Sequence, residues 1–238
     1  FGWDGQLKSA RDFGNDEPLC AEHSELKKIR VETWGPLVFV HLGEPAKSLI
    51  DSLGGLIAKA ESFPVESFSY ARRMTRQLAC NWKTYVDNYL EGYHVQLLHP
   101  SLNRALEMSS YKVSVHEDSY CVHECEPSDG SPVAGVWLFR YPNLAINLYP
   151  SGMNVERIMP VGHDRTQVVY DYLAFDTSED KIAQMVATSN EILDEDQYIC
   201  EIVQKNLDSG IYEAGPLSPR HEVGLEWFQS KVKNALLS

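Results

Sequence analysis

Between residues 111 and 175 the chain runs through six short strand-like stretches, 111–116, 119–125, 133–140, 143–149, 153–160 and 166–175. Turn signals separate them, among them Ser128-Asp129-Gly130, Ser151-Gly152 and Gly162-His163-Asp164. A long helix is predicted directly afterwards, over about 178–208 with a stop at Ser209-Gly210, and another over 220–236. Strands that come in a run, followed by helices, predict an antiparallel sheet with helices on one side. The expected class is α+β, with the sheet wrapping the long C-terminal helix.

The segment before this run is less regular. Lys28 to Leu42 alternates into the apolar run Pro36-Leu37-Val38-Phe39-Val40-His41-Leu42, which reads as a buried strand closed by Gly43-Glu44-Pro45. Leu49, Ile50, Leu53, Leu56, Ile57 and Ala60 then space an amphipathic helix over 46–61, weakened by Gly54-Gly55. A boundary near residue 45 therefore predicts two parts, 1–45 and 46–238. Strand is expected over 68–80, and Asn81 is a fitting N-cap for a helix from Trp82 to His94 or a little beyond. At the start, Asp4-Gly5 suits the two positive-φ positions of a tight hairpin turn, so a strand should precede it. Few residues do, which predicts a sequence that begins part-way through a larger domain.

Charge narrows the function classes. A formal net charge of −13 argues against nucleic acid and against an anionic membrane surface. No run of eighteen apolar residues predicts a membrane span. Five scattered cysteines do not make a disulfide framework in a chain of 238 residues, so a reducing cytoplasm is expected.

The chemistry concentrates in Asn81-Trp82-Lys83-Thr84-Tyr85-Val86-Asp87-Asn88-Tyr89-Leu90-Glu91-Gly92-Tyr93-His94-Val95-Gln96-Leu97-Leu98-His99-Pro100. On one continuous helix Asp87, Glu91 and His94 share a face. His99 can join His94 as a ligand if the helix ends between them, and Pro100 favours that by biasing His99 away from helical geometry. Two imidazoles and a carboxylate suit iron, zinc or copper and leave coordination positions open. The spacing alone is weak, since a chain with eight histidines offers such pairs by chance.

The whole string resembles the iron-binding segment of Rieske-type ring-hydroxylating oxygenase α subunits: Asn-Trp-Lys, then Asp-Asn-Tyr-Leu-Glu-Gly-Tyr-His, then a second His before Pro. The likeness continues in Tyr141-Pro142-Asn143-Leu144, Ile146-Asn147, Met159-Pro160-Val161-Gly162 and the stretch Glu195 to Glu201. It implies a helix-grip (START/Bet v1-like) catalytic domain preceded by the tail of a Rieske domain. By that resemblance His94, His99 and Asp196 hold Fe(II), with Asp194 the competitor in Asp194-Glu195-Asp196. Asp196 is preferred because it stands five before Glu201, as the family's ligand does before its matching glutamate. Glu91 takes the place of the acid that links the iron to a neighbouring subunit's cluster, and Asp87 is a candidate to orient Glu91 or His94. Glu at position 91 looks more like enzymes acting on quaternary amines such as carnitine than like aromatic-ring dioxygenases.

The Cys-x-His and Cys-x-x-His ligands of a [2Fe-2S] cluster are absent, so a cluster is expected only in a longer form. Cys121-Val122-His123-Glu124-Cys125 offers three candidate ligands, Cys121, His123 and Cys125, on one strand face, with packing as the plainer reading. The resemblance further implies O₂ and a small organic substrate, electrons from a flavin/iron-sulfur reductase, and a homotrimer at full length. Tyr149, Met153, Tyr170 and Tyr172 are expected to line the pocket, where tyrosine faces could cage a quaternary ammonium. Hydroxylation or N-demethylation of a methylated amine is the leading expectation and ring hydroxylation the runner-up. A zinc hydrolase or a non-catalytic ligand-binding protein on the same fold are the readings from other classes.

Overall fold

The computed structural model describes residues 1–12, 24–43, 47–116, 120–127 and 135–237. The predicted turn Ser128-Asp129-Gly130 and the closing Glu44-Pro45 lie outside them. The chain falls into two compact units, Phe1–Leu49 and Ile50–Ser238.

In the first unit, β1 (Arg30–Trp34) and β2 (Leu37–His41) make an antiparallel hairpin in which Trp34 pairs with Leu37. Gly35, at φ +53, reverses the chain between them. The buried strand expected at Pro36–Leu42 is therefore the second arm of a two-stranded ribbon, and its Val38 and Val40 are exposed. A ribbon of two strands has too little surface to bury both of its own faces. Of Asp4 and Gly5 only Gly5 takes a positive φ, and the turn spans Gly2 to Gly5, one residue earlier than the Asp4-Gly5 turn predicted.

Two short helices, α1 (Leu49–Leu53), which starts on the last residue of the first unit, and α2 (Leu56–Ala60), stand where one was predicted. Gly54 at φ +57 separates them. Next come β3 (Ser69–Leu78), α3 (Trp82–Tyr89), α4 (Tyr93–Leu98) and α5 (Pro100–Ala105). Then β4 (Lys112–His116), β5 (Tyr120–Cys125), β6 (Gly135–Arg140), β7 (Leu144–Tyr149), β8 (Gly152–Pro160) and β9 (Thr166–Ala174) follow. They form one antiparallel sheet ordered β3-β9-β8-β7-β6-β5-β4. Strands consecutive from β4 to β9 lie side by side, and β3 closes the far edge against β9.

α6 (Glu179–Asp208) crosses this sheet and packs on α3 and β3. Its ends are written in the sequence: Glu179 and Asp180 complement the positive end of the helix, and Gly210 at φ +72 stops it. Ile182, Val186, Leu193, Cys200 and Gln204 are its buried residues. α7 (Val223–Leu237) lies against β4. The predicted α+β, helix-grip architecture is the one observed. No helix among the described residues is long and apolar enough to cross a membrane.

Candidate metal centre

The helix predicted over 82–94 is broken. Asn81 caps α3 as expected, its Oδ1 accepting from Lys83 N at 3.0 Å, worth about 1 kcal/mol. α3 ends at Tyr89, and α4 starts only after Gly92. A Cβ on Gly92 would lie 2.3 Å from the Tyr111 ring, so only glycine lets the chain turn there. Asp87, Glu91 and His94 consequently do not share a helical face. Glu91 sits in the break, and its carboxylate accepts from the backbone N–H of Tyr93 at 2.5 Å and of His94 at 3.3 Å. His99 forms the joint between α4 and α5, outside helical geometry at φ −113 and ψ 75, as Pro100 predicts.

These breaks bring His94 and His99 to Asp196 on α6. One ligand atom from each of the three lies within 4.8 Å of the others. His99 Nε2 is 3.1 Å from Asp196 Oδ1, and His94 Nε2 is 3.7 Å from the same oxygen. The side chains of His94, His99 and Asp196 are 12%, 1% and 14% exposed. Each imidazole gives its other nitrogen to a second carboxylate: Glu91 accepts from His94 Nδ1, and Glu195 accepts from His99 Nδ1 at 2.6 Å. Asn88 Nδ2 donates to Asp196 Oδ1 at 2.7 Å and fixes that carboxylate.

This arrangement can be tested for its fit to a metal ion. With Nδ1–H committed to a carboxylate on both rings, each Nε2 presents a lone pair toward Asp196 Oδ1. Acceptor then faces acceptor, a contact that is stable only with a positive charge between them. A proton supplies it on His99: burial disfavours the cation, but the bonds to Asp196 and Glu195 outweigh burial and raise its pKa. A divalent ion supplies it for all three donors at once, and a carboxylate behind each imidazole is the support metal-ligating histidines ordinarily have. The residues fit an iron with two imidazoles and one carboxylate.

Two sequence-stretch candidates land elsewhere. Asp194 points away and pairs with Arg76 at 2.5 Å. Asp87 is not brought to the cluster either; its Oδ2 accepts from Gln229 on α7 at 3.4 Å, and burial raises its pKa to about 7. Asn88 and the role of Glu195 in holding His99 were not foreseen. The Cys121, His123 and Cys125 set is not gathered as ligands. Tyr111 Oη meets His123 Nδ1 at 2.5 Å and Cys125 donates to the Glu107 carbonyl, while the metal-capable group among the described residues is the one above.

The three donors open onto a cavity of about 760 Å³. Tyr149, Met153 and Tyr172 line it as expected. Tyr170 does not; it is buried behind the wall with its hydroxyl 2.9 Å from that of Tyr85.

A family profile described as the ring hydroxylating alpha subunit (catalytic domain) matches residues 65–131 and 114–238, and the chain belongs to that family. Among its relatives, the chloroplastic choline monooxygenase of Arabidopsis thaliana is 30% identical over 243 residues, covering 90% of this chain and 57% of that protein. The carnitine monooxygenase oxygenase subunit of Escherichia coli (strain K12) is 29% identical over 226 residues, covering 89% and 60%. The chain thus spans less than two thirds of the length of these relatives. A crystal structure of the quaternary ammonium Rieske monooxygenase CntA with a bound inhibitor superposes with a TM-score of 0.81 at 25% identity, covering 98% of this chain and 68% of that one. Naphthalene 1,2-dioxygenase from Rhodococcus sp. shares the fold at a TM-score of 0.67 and 15% identity.

Proposed function

We propose that the chain is the catalytic part of a terminal oxygenase that hydroxylates or N-demethylates a small methylated amine. The observation that carries this reading is the convergence of His94 Nε2 and His99 Nε2 on Asp196 Oδ1 at the wall of the cavity. His94, His99 and Asp196 would hold ferrous iron, which would supply the activation of O₂. The chain's own part is to orient and to exclude. Glu91 and Glu195 lock the tautomers so that Nε2 is the ligating atom on both rings. Asn88 holds one carboxylate oxygen of Asp196 in place. The apolar and aromatic walls keep water from competing with the substrate for the pocket.

In a form that carries a [2Fe-2S] domain, Glu91 is the acid that joins this centre to a neighbouring subunit's cluster within a homotrimer. A flavin/iron-sulfur reductase supplies the electrons, with O₂ and the amine as substrates. The cytoplasm is the proposed compartment; the buried, free Cys80, Cys121, Cys125 and Cys200 suit a reducing one.

Anaerobic reconstitution followed by metal analysis tests the centre. About one Fe(II) per chain is expected in the wild type and none in the His94→Ala/His99→Ala double variant. Full iron occupancy in that variant overturns the reading, and purified protein holding zinc that iron cannot replace points instead to hydrolysis.

A further inference from the structure

One wall of the cavity carries a carboxylate that the metal centre does not use. Glu156 on β8 is 3% exposed. Its Oε2 accepts from the Tyr85 hydroxyl at 2.9 Å and its Oε1 from Asn147 Nδ2 at 2.6 Å. Tyr89 donates to Asn147 Oδ1 at 2.6 Å, which orients that amide with its NH₂ toward the acid. Each carboxylate oxygen has further lone-pair capacity, and no cationic side chain among the described residues bonds to it. Asn154, cross-strand from Asn147, adds a buried Oδ1 that has no hydrogen-bond partner among the described residues.

Burying an acid without a positive partner is costly, and here burial raises its pKa to about 7. The acid and both amides face the same cavity as the rings of Tyr89, Tyr149 and Tyr172. A quaternary ammonium has no N–H to direct at an acceptor. It is recognised by a negative field combined with apolar and aromatic contact, the two things this wall provides.

We propose that Glu156 is a specificity-determining residue, selecting a substrate with a methylated ammonium head over a neutral one of the same shape. The proposal rests on the reading of this cavity as the substrate pocket of an oxygenase. Tyr85, Asn147 and Tyr89 act through Glu156 as positioning residues. They hold the carboxylate against the wall, so that it attracts the cation without ordinary hydrogen bonding to it.

The test is calorimetric titration of the full chain with choline, with L-carnitine and with 3,3-dimethyl-1-butanol, the uncharged carbon isostere of choline. The wild type is expected to bind at least one of the two cations about tenfold or more tightly than the isostere. Glu156→Gln should lose that preference while holding the isostere to within about twofold of the wild type. Equal binding of cations and isostere by the wild type overturns the proposal, as does a preference that survives in a folded Glu156→Gln. Should that variant fail to fold, Asn154→Asp decides: a second acid on the wall should widen the preference, and an unchanged ratio counts against it. Iron content measured on the same samples separates the two readings. Normal iron without cation preference removes only the role of Glu156, whereas cation preference without iron removes the oxygenase.

Discussion

His99 and His123 line the same cavity and are buried almost equally, 1% and 2% exposed, yet their surroundings differ in kind. His99, between α4 and α5, has Glu195 on one nitrogen and Asp196 on the other, and the two acids raise its pKa against the effect of burial. His123, on β5, has the Tyr111 hydroxyl and the Cys121 thiol, and burial drives its pKa down to about 3. Burial by itself turns an imidazole into a neutral packing group. The carboxylate on the far nitrogen gives His99 the character of a ligand. In this chain the acids mark the centre more reliably than the histidines do.

Truncating each ring separates the two histidines most directly. His99→Ala should abolish iron binding, whereas His123→Ala should keep about one iron per chain by elemental analysis. Loss of iron from both would mean that the cavity as a whole, rather than the acid pairs, holds the metal. Removing only the supporting charge sharpens the point: Glu195→Gln and Glu91→Gln should each weaken iron about 10- to 100-fold in chelator competition. An unchanged affinity would reduce these acids to packing.

A third effect is read in stability against pH, on metal-free protein. His123 stays neutral when folded, so between its unfolded pKa of 6.5 and about 3 the unfolded chain binds the extra proton and stability falls as pH falls. Glu156 has the opposite sign. Burial, partly opposed by bonds from Tyr85 and Asn147, raises it from 4.5 to about 7, so the folded chain binds the extra proton and stability falls as pH rises through that window. From about pH 4.5 to 6.5 the two slopes, each roughly 1.4 kcal/mol per pH unit, oppose one another. Asp87, which burial raises from 3.8 to about 7, has the same sign as Glu156, so stability of the wild type declines with rising pH there; His123→Leu should steepen that decline and Glu156→Gln should flatten it. Parallel profiles for wild type and both variants in denaturant titrations would refute the assignment. The smallest effect is expected at Asp194, whose side chain is 71% exposed. Asp194→Asn should cost no more than about 1 kcal/mol and leave iron content unchanged.

The sheet and the long helix were legible because turn residues punctuate every strand and because charge and glycine mark the ends of α6. Asp196 could also have been separated from Asp194 without the family. Two residues turn a helical side chain by about 200°, and Asp196 stands three beyond Leu193 and four before Cys200, both buried. The break at Leu90–Gly92 was not legible, and the Tyr111 ring that leaves no room for a Cβ at Gly92 comes from a later stretch of chain. Asn88 reaches Asp196 only because α3 packs on α6, a contact no local periodicity encodes. Glu156 was hidden by alternation itself. Beside the apolar Met153 and Val155, Asn154 and Glu156 read as the outward, polar face of a strand, but β8 is covered on both faces and all four are buried.

The proposed metal donors come from two stretches of chain, with His99 and Asp196 97 residues apart. All six strands β4 to β9 are laid down between them. An ion that needs all three donors cannot act as a nucleus, because closing so long a loop in an unordered chain is entropically unfavourable before the sheet exists. It can bind only a molecule whose sheet is already complete, and its binding energy then accrues to the folded state alone. Iron should therefore behave as a latch in kinetics: refolding after denaturant removal proceeds at the same rate with or without it, and unfolding becomes slower in proportion to occupancy.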